Sequence, residues 1–275
     1  MKTLFIRAMW GMDLPSVDAG LDKIQEGGFD GVEMGVPADA AERRALRLAL
    51  ERTGLALIAQ QWTAGRTPEE HAKSFEEQYR RASDMGPLFV NSHTGRDIFT
   101  LEQNLLVFRA AARLEGEVRT RVLHETHRGR ALYSAPAASA LLDALPGLRL
   151  TADFSHWCCV HESLLEDQED AVQKAIDASG HIHARVGHAE GPQVTHPGAP
   201  EWKDAVAAHM GWWKRIASRH QQEGASQLTI CPEFGPVPYM PTLPWTRQPV
   251  ADLWEITVYM KDFLNAHLTE SRIIR

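Results

Sequence analysis

The sequence predicts an α/β protein of the (β/α)8 barrel class, and three observations support this prediction. Short β-rich runs alternate with longer helical stretches about eight times along the chain. The pairs recur at a spacing of roughly 30 residues, which is typical of βα units in a parallel sheet. The 275 residues are close to the roughly 250 of one barrel, so we expect a single domain over residues 1–275.

Each predicted element has a local justification. The candidate strands are TLFIRAM (3–9), FDGVEMG (29–35), LALIAQQ (55–61), LFVNSH (88–93), RVLHE (121–125), LRLTAD (148–153), HIHARVG (181–187) and QLTICPEF (227–234). The stretches between them place Ala, Leu, Glu and Arg at i, i+3, i+4 spacing, which predicts amphipathic helices. Several of these stretches end in glycine, as helix C-caps often do: Gly28, Gly54 and Gly86.

An open, doubly wound sheet is the alternative architecture, but the sequence lacks its phosphate-binding signature. The glycine-rich GGFDG (27–31) precedes a strand, whereas a dinucleotide fingerprint follows one. The proline-rich run at 231–245 follows the eighth predicted strand and is interpreted as a long ordered loop. A closed barrel is therefore the favoured prediction.

Composition excludes several functional classes. The chain has 29 Lys and Arg against 36 Asp and Glu, a net charge of −7, which argues against nucleic acid or an anionic membrane as a partner. No segment has the length and apolar character of a signal peptide or membrane span. The three cysteines have neither disulfide-framework nor zinc-ligand spacing. We therefore expect a cytoplasmic protein with reduced thiols.

Polar residues occur at the ends of the last four predicted strands. They are Glu125, Asp153, His183 and Glu233. The carboxyl ends of barrel strands surround the active site, so these side chains should converge. Three carboxylates in one place repel each other unless a cation neutralises them, and a mixed oxygen and imidazole set suits a divalent metal. We predict one metal ion, with Mn²⁺ as first choice and Mg²⁺, Co²⁺ or Zn²⁺ as alternatives.

The segment HETH (124–127) superficially suggests a zinc-protease motif. That motif needs histidines at i and i+4 on a helix, whereas these lie at i and i+3 at a strand end. By strand alternation His127 shares the face of Glu125, while His124 points to the helical layer. His124 is thus expected to be a packed histidine.

At these residues the sequence resembles the xylose isomerase-like TIM barrels, a superfamily that includes type IV apurinic endonucleases and sugar epimerases. The resemblance rests on four segments, which occur in the order of the epimerase branch: LHETHRG, TADFSHW, HIHARVGH and PEFGP. The resemblance implies that Glu125, Asp153, His183 and Glu233 bind metal and that His156 contacts substrate. The endonuclease branch needs a further histidine where this chain has Gln60-Gln61-Trp62, and an Asp-x-His where it has GHAEG. DNA repair is therefore disfavoured.

The expected chemistry is proton abstraction α to a carbonyl through a metal-stabilised enediolate, with Glu125 and Glu233 as catalytic groups. This predicts a sugar or polyol isomerase or epimerase. The alternatives are a lyase or dehydratase acting on a keto-polyol or a C-glycoside, and a non-catalytic sugar-binding relative. Further candidates for substrate binding are Glu33, His93, Arg185, His188, Trp10 and Trp62.

Tryptophans and histidines are numerous, at 8 and 13 residues. Besides Trp10 and Trp62, Trp157 and Trp245 fall near predicted strand ends and are candidates for contact with a sugar. Trp212 and Trp213 lie side by side on a predicted outer helix, so we expect one of them in a subunit contact, which favours a homo-oligomer. The helical histidines are expected at the surface: His71, His209, His220 and His267.

Overall fold

The computed structural model describes residues 1–268, and these form a closed barrel of parallel strands. Each strand pairs with the next along the chain, and the last pairs with the first. The strands are β1 Lys2–Ala8, β2 Gly31–Gly35, β3 Ala56–Trp62, β4 Val90–His93, β5 Val122–Glu125, β6 Leu150–Ala152, β7 Ser179–His183 and β8 Gln227–Cys231. The predicted TIM barrel is confirmed.

Helices surround the barrel and connect successive strands. They are α1 Val17–Glu26, α2 Ala40–Thr53, α3 Pro68–Ser83, α4 Leu101–Val118, α5 Ala135–Ala144, α6 Ser155–His161, α7 Glu169–Ala178, α8 Lys203–Gln222 and α9 Leu253–Leu268, with a short 3₁₀ helix at Pro200–Trp202. Within residues 1–268, no helix combines the length and apolar composition that a membrane span requires.

Side chains at the helix ends explain several of these boundaries. Asp39 accepts hydrogen bonds from the backbone N–H groups of Ala41 and Glu42, and so caps α2. Thr100 and Gln103 form a capping box at the start of α4. Gly54 ends α2 with φ of 69°, a left-handed conformation that glycine adopts without steric cost.

All eight predicted strands occur, and their ends differ most from the prediction at the carboxyl ends of β7 and β8. β8 ends at Cys231 because Pro232 has no N–H to continue the ladder, so Glu233 lies in the following loop. β7 covers residues 179–183 rather than 181–187, and residues 184–187 leave the sheet although their inside-outside alternation continues. Both changes place polar side chains beyond the ends of the ladder.

The expectation that the helical histidines lie at the surface is wrong for His71 and His209, each 1% exposed. His71 Nδ1 lies 2.8 Å from Thr63 Oγ1. His209 Nε2 accepts a hydrogen bond from the backbone N–H of Gly187, beyond β7. These contacts join residues distant in sequence, so helical periodicity does not reveal them. His220 is half-buried, and His267 is exposed as expected.

Trp212 and Trp213 are also both buried, at 7% and 1% exposure, so neither provides the expected subunit contact. Trp212 packs edge-to-face on Phe154 at 5.7 Å between ring centroids, and Trp213 contacts the ring of His209. Helix α8 is therefore covered over an arc wide enough to bury two adjacent side chains. A homo-oligomer stays a prediction without this argument.

Candidate active site

The buried charged residues of the described chain all lie inside the barrel and at its carboxyl end. Among residues 1–268, the buried Asp, Glu, Lys and Arg side chains are Arg7, Glu33, Glu125, Asp153, Arg185 and Glu233. Burial of an ionised group is costly unless it is paired, so this concentration marks a functional site rather than ordinary packing.

Strand alternation builds one column of this site. His181, His183 and Arg185 follow each other at every second residue and point inward. The residues between them, including Ile182 and Ala184, are fully buried in the hydrophobic core. The pattern His-x-His-x-Arg therefore places two imidazoles and a guanidinium at successive heights.

His183 is the centre of the cluster. Its Nε2 lies 2.9 Å from Glu33 Oε2, and its Nδ1 lies 3.0 Å from Glu233 Oε2 and 3.6 Å from Glu125 Oε2. Nδ1 is buried, and no described residue has the geometry to form a hydrogen bond with it. If Nε2 carries the proton donated to Glu33, the lone pair of Nδ1 faces two carboxylates, and either a second proton or a metal cation at Nδ1 would relieve the repulsion.

Electrostatic interactions shift the pKa of both Glu33 and His183. Burial lowers the pKa of His183, but three nearby carboxylates outweigh it and hold that pKa well above its usual value. Burial likewise opposes ionisation of Glu33, yet His183 and His181 hold its pKa below its usual range. Glu33, a candidate for substrate binding from the sequence, is therefore a carboxylate that orients His183.

Arg185 provides a fixed positive charge between two of the acids. Its Nη2 lies 2.5 Å from Asp153 Oδ2 and 2.8 Å from Glu233 Oε2. Burial raises the pKa of Asp153, partly opposed by Arg185. The same Nη2 lies 3.3 Å from His156 Nε2, so Arg185 connects β7 with the first turn of α6.

Glu125 is held from the opposite side by β4. The Asn91 side-chain amide donates to Glu33 at 2.7 Å and to Glu125 at 2.8 Å, so one residue connects the two carboxylates. His93 Nε2 lies 2.8 Å from Glu125 Oε2, and 3.3 Å from the side-chain nitrogen of Gln60. Glu125 is thereby fixed before any ligand arrives.

A cavity of about 430 Å³ opens above this cluster, within the size range of small-molecule sites. It is lined by Met9, Trp10, Met34, Gly35, Gln60, Trp62, His93, Glu125, His127, Arg185, Glu233 and Tyr239. Asp153, His156 and His183 are fully buried and do not line it. The cluster therefore meets the cavity through Glu125, Glu233 and Arg185.

Other candidates lie away from the cavity. His188 is outside its lining, forms a bridge with Gly191 and packs on Trp202 with 4.7 Å between ring centroids. His156 is buried against His127, with 3.9 Å between ring centroids. Trp157 is buried and donates to the carbonyl of Leu132, while Trp245 is 97% exposed.

Five lining residues were not candidates from the sequence, and a sixth residue outside the lining supports the cavity from behind. The five are Met9, Met34, Gly35, Gln60 and Tyr239. Met9 follows β1, and Tyr239 comes from the proline-rich loop after β8. Gln193, in the loop after β7, exchanges two hydrogen bonds with the backbone of Gly235. Loop residues have no periodicity, which explains why Tyr239 and Gln193 were missed. Strand alternation does give a signal for Asn91, which supports Glu125 from β4 and shares the face of His93.

The donor set fits a divalent cation. Ligand atoms of Glu125, Asp153, His183 and Glu233 lie within 4.8 Å of one another, and they match the set expected from the sequence. The four buried carboxylates and two buried guanidiniums leave two negative charges in excess before the histidines are counted. Without metal, a proton on His183, whose pKa is raised, offsets one of these charges, and a bound metal would displace that proton. A divalent cation would neutralise that excess and would also meet the unpaired His183 Nδ1.

Two other groups of candidate ligands are less suitable. In the group Glu33, His183 and Cys231, burial strongly raises the pKa of the thiol, which disfavours the thiolate that binds metal. The group His93, Glu125 and His127 shares Glu125 with the four-residue group.

The sequence itself identifies the family. A family model described as "Xylose isomerase-like TIM barrel" matches residues 21–188, more than half of the chain. The chain belongs to this family. Among curated proteins, none matches the chain.

Solved structures of this fold carry several activities. Endonuclease IV from Thermus thermophilus aligns with a TM-score of 0.61 and 15% identity, over 98% of this chain and 100% of that one. The 3-keto-D-glucoside 4-epimerase from E. coli aligns with a TM-score of 0.65 and 14% identity, over 96% of this chain and 100% of that one. The probable 3-DHS dehydratase from Bacillus anthracis aligns with a TM-score of 0.62 and 15% identity, over 96% of this chain and 98% of that one. At these identities the likeness shows the fold alone.

Proposed function

We propose that this xylose isomerase-like barrel is a divalent-metal-dependent isomerase or epimerase that removes a proton α to the carbonyl of a sugar or polyol. The observation that carries the proposal is the arrangement of Glu125 and Glu233. Both carboxylates line the same cavity and meet at His183 Nδ1, with Glu125 at the end of β5 and Glu233 in the loop after β8. Two carboxylates beside one substrate are suited to removing a proton and returning it elsewhere.

The residues of the chain divide the work. A divalent cation held by Glu125, Asp153, His183 and Glu233, with Mn²⁺ as our first choice, supplies Lewis acidity toward a substrate carbonyl when bound. Glu233 accepts the α-proton. Arg185, 2.8 Å from Glu233, keeps that carboxylate ionised, since His183 and Arg185 lower its pKa against the effect of burial. His93 and His127 line the cavity and orient substrate hydroxyls.

The proposal also concerns partners and location. A neutral sugar or polyol is the proposed substrate, nucleic acid is not, and the surplus of acidic residues agrees with that choice. The free cysteines Cys158, Cys159 and Cys231 agree with the reducing cytoplasm that we propose as its location.

Exchange of the substrate α-proton with solvent deuterium tests the proposed chemistry. Purified protein with Mn²⁺, Mg²⁺, Co²⁺ or Zn²⁺ is incubated in D₂O with a panel of keto-sugars, aldoses and keto-polyols, and exchange is followed by NMR. We expect metal-dependent exchange, with an epimer or an aldose–ketose pair as product. Binding without exchange on any member of the panel would contradict the enzyme proposal and favour a non-catalytic sugar-binding protein.

Dehydration is the second candidate function, and Tyr239 is the observation in its favour. Its phenol lines the cavity near Arg185 and Arg128, and burial raises its pKa, so it stays a proton donor at neutral pH. After α-proton removal, this phenol could protonate a departing β-hydroxyl, which leaves as water. Accumulation of an unsaturated product in the same NMR experiment would favour this lyase activity over isomerisation.

A further inference from the structure

The cavity has two chemically different walls. The ends of β4 to β8 contribute the charged and imidazole groups. The ends of β1 to β3 contribute an apolar wall, which we define as Met9, Trp10, Met34, Gly35 and Trp62. Proton transfer uses only the polar wall. The apolar wall therefore needs an explanation of its own.

Trp10 is held rigidly at one end of the apolar wall. Its ring packs edge-to-face on Tyr239, with 5.1 Å between centroids and 88° between planes. It also lies so close to Gly235 that a Cβ on that residue would be 2.1 Å from the indole. Only glycine fits beneath Trp10, and the side chain of Gln193 fixes the backbone of this glycine.

Trp62 is held in a similar way at the other end. Gln78 on α3 donates to the Trp62 carbonyl at 2.7 Å, which fixes the end of β3. The indole lies over Gly35, where a Cβ would be 3.2 Å away, and beside His93 at 5.6 Å between centroids. Both tryptophans are thus ordered before a ligand binds, which lowers the entropic cost of binding on them.

Both rings nevertheless remain partly open to solvent, at 39% exposure for Trp10 and 40% for Trp62. Exposed indole surface next to a polar site is recovered when a ligand covers it, and flat apolar ligand surfaces cover it best. The two rings lie in the cavity lining, so the covering group belongs to the same ligand that reaches Glu125 and Glu233.

The volume of the cavity and the charge of its lining further restrict the class of ligand. The cavity of about 430 Å³ is larger than a single hexose needs. Among its lining residues, Arg185 is the one Lys or Arg, and it is already shared by Asp153 and Glu233. Arg128, above the Tyr239 ring at 5.1 Å, is not in the lining. Nη1 of Arg185 has no hydrogen-bond partner among the described residues, but it is buried, and two carboxylates already balance the charge of the guanidinium. A phosphate dianion would therefore find no uncompensated positive charge among the lining residues.

We infer that the apolar wall is an aglycone subsite, and that the substrate is an uncharged glycoside that carries a ketone on its sugar ring and whose apolar or aromatic group lies between Trp10 and Trp62. This inference rests on the proposed function for the position of the sugar ring, which faces the polar wall. It excludes sugar phosphates and free monosaccharides as preferred substrates.

Binding of inert glycosides tests the subsite independently of catalysis. Matched methyl and phenyl glycosides of glucose, galactose and mannose, in both anomeric forms, and the corresponding hexose 6-phosphates are titrated by calorimetry into the Mg²⁺-loaded full chain. We expect at least one phenyl glycoside to bind about tenfold or more tightly than its methyl partner, since covering two indoles removes a large apolar area from water.

The variant Trp62→Ala should reduce that phenyl-to-methyl preference to less than about threefold, and Trp62→Phe should keep an intermediate value. Trp245→Ala is the matched control, since Trp245 is 97% exposed and outside the cavity, and should keep the wild-type preference. Thermal unfolding of each variant checks that the barrel is intact.

Equal affinity for phenyl and methyl glycosides, no binding of any phenyl glycoside at millimolar concentration, or tighter binding of a hexose phosphate would overturn the inference. The proposed function fails separately. An aglycone preference without deuterium exchange on any keto-sugar would leave the subsite intact and remove the isomerase. Exchange on free keto-sugars without any aglycone preference would support the isomerase and overturn the subsite.

Discussion

Buried histidines in two regions of this barrel have opposite electrostatic environments. His183, inside the barrel, has its pKa raised by surrounding carboxylates in spite of burial. His124, which points from β5 into the helical layer, lies 4.7 Å from Phe108 between ring centroids, and burial lowers its pKa to about 3. Both are almost inaccessible to solvent. Burial alone therefore does not identify a functional histidine, and the carboxylates around it do.

The largest expected difference between the two regions is in metal binding. His183→Gln should weaken Mn²⁺ binding by more than about 100-fold, because it removes the imidazole that faces Glu125 and Glu233. His124→Gln should leave the affinity for Mn²⁺ within about twofold of wild type, since His124 faces the helices. Titration of metal-free protein by electron paramagnetic resonance measures both. Similar losses in the two variants would remove the distinction.

A smaller effect should follow from changing the carboxylate behind His183. Glu33→Gln keeps the size of the side chain but removes the negative charge that orients Nε2 at 2.9 Å. We expect Mn²⁺ to bind about 10- to 100-fold more weakly, as is usual for residues that support a ligand. Glu77→Gln on the exposed face of α3 is the matched control. Unchanged metal affinity in Glu33→Gln would contradict the assigned role.

The packed histidine should show itself in the pH dependence of stability. An unfolded histidine titrates near about 6.5, while His124 stays neutral in the folded protein down to about pH 3. Between these values the unfolded state binds more protons, so the free energy of unfolding falls as the pH falls, by at most about 1.4 kcal/mol per pH unit. Above about pH 6.5 His124 is neutral in both the folded and the unfolded state, so its full contribution to the free energy of unfolding is retained.

His124→Gln should therefore make the fall in stability between about pH 6.5 and about pH 4.5 shallower by about 1 kcal/mol per pH unit. Urea denaturation at several pH values measures it. Trp245→Ala, at an exposed residue that does not titrate, serves as the control and should retain the wild-type slope. A parallel slope in His124→Gln would mean that His124 is protonated in the folded state.

The sequence predicted the barrel and the convergence at its carboxyl end because both depend on regular periodicity. Glu125 and His183 end their strands, and Asp153 and Glu233 follow theirs by one or two residues. Alternation also predicted the outward direction of His124, which packs between Phe75 and Phe108. Where the backbone repeats, the side-chain direction follows from the residue number.

The remaining features depend on contacts between distant segments. His209 supports Gly187 from α8, and Gln193 holds Gly235 from another loop. Neither contact changes the local periodicity of the sequence. His209 was therefore expected at the surface, and the role of Gln193 was not predicted. Glu33 was predicted as a site residue, but its place behind His183 depends on how β2 and β7 face each other across the barrel.

Solvent deuterium exchange in Glu233→Gln tests whether Glu233 removes the α-proton of the substrate. The measurement uses a substrate found with the wild-type protein, in D₂O, with bound metal quantified in the same sample. Because Glu233 is also a proposed metal ligand, the comparison is made at Mn²⁺ concentrations that saturate the variant. We expect exchange to fall by about 10²- to 10⁴-fold in the metal-loaded, substrate-bound variant, because the general base is lost. Exchange at the wild-type rate in that variant would contradict the assignment of Glu233 as the group that removes the α-proton.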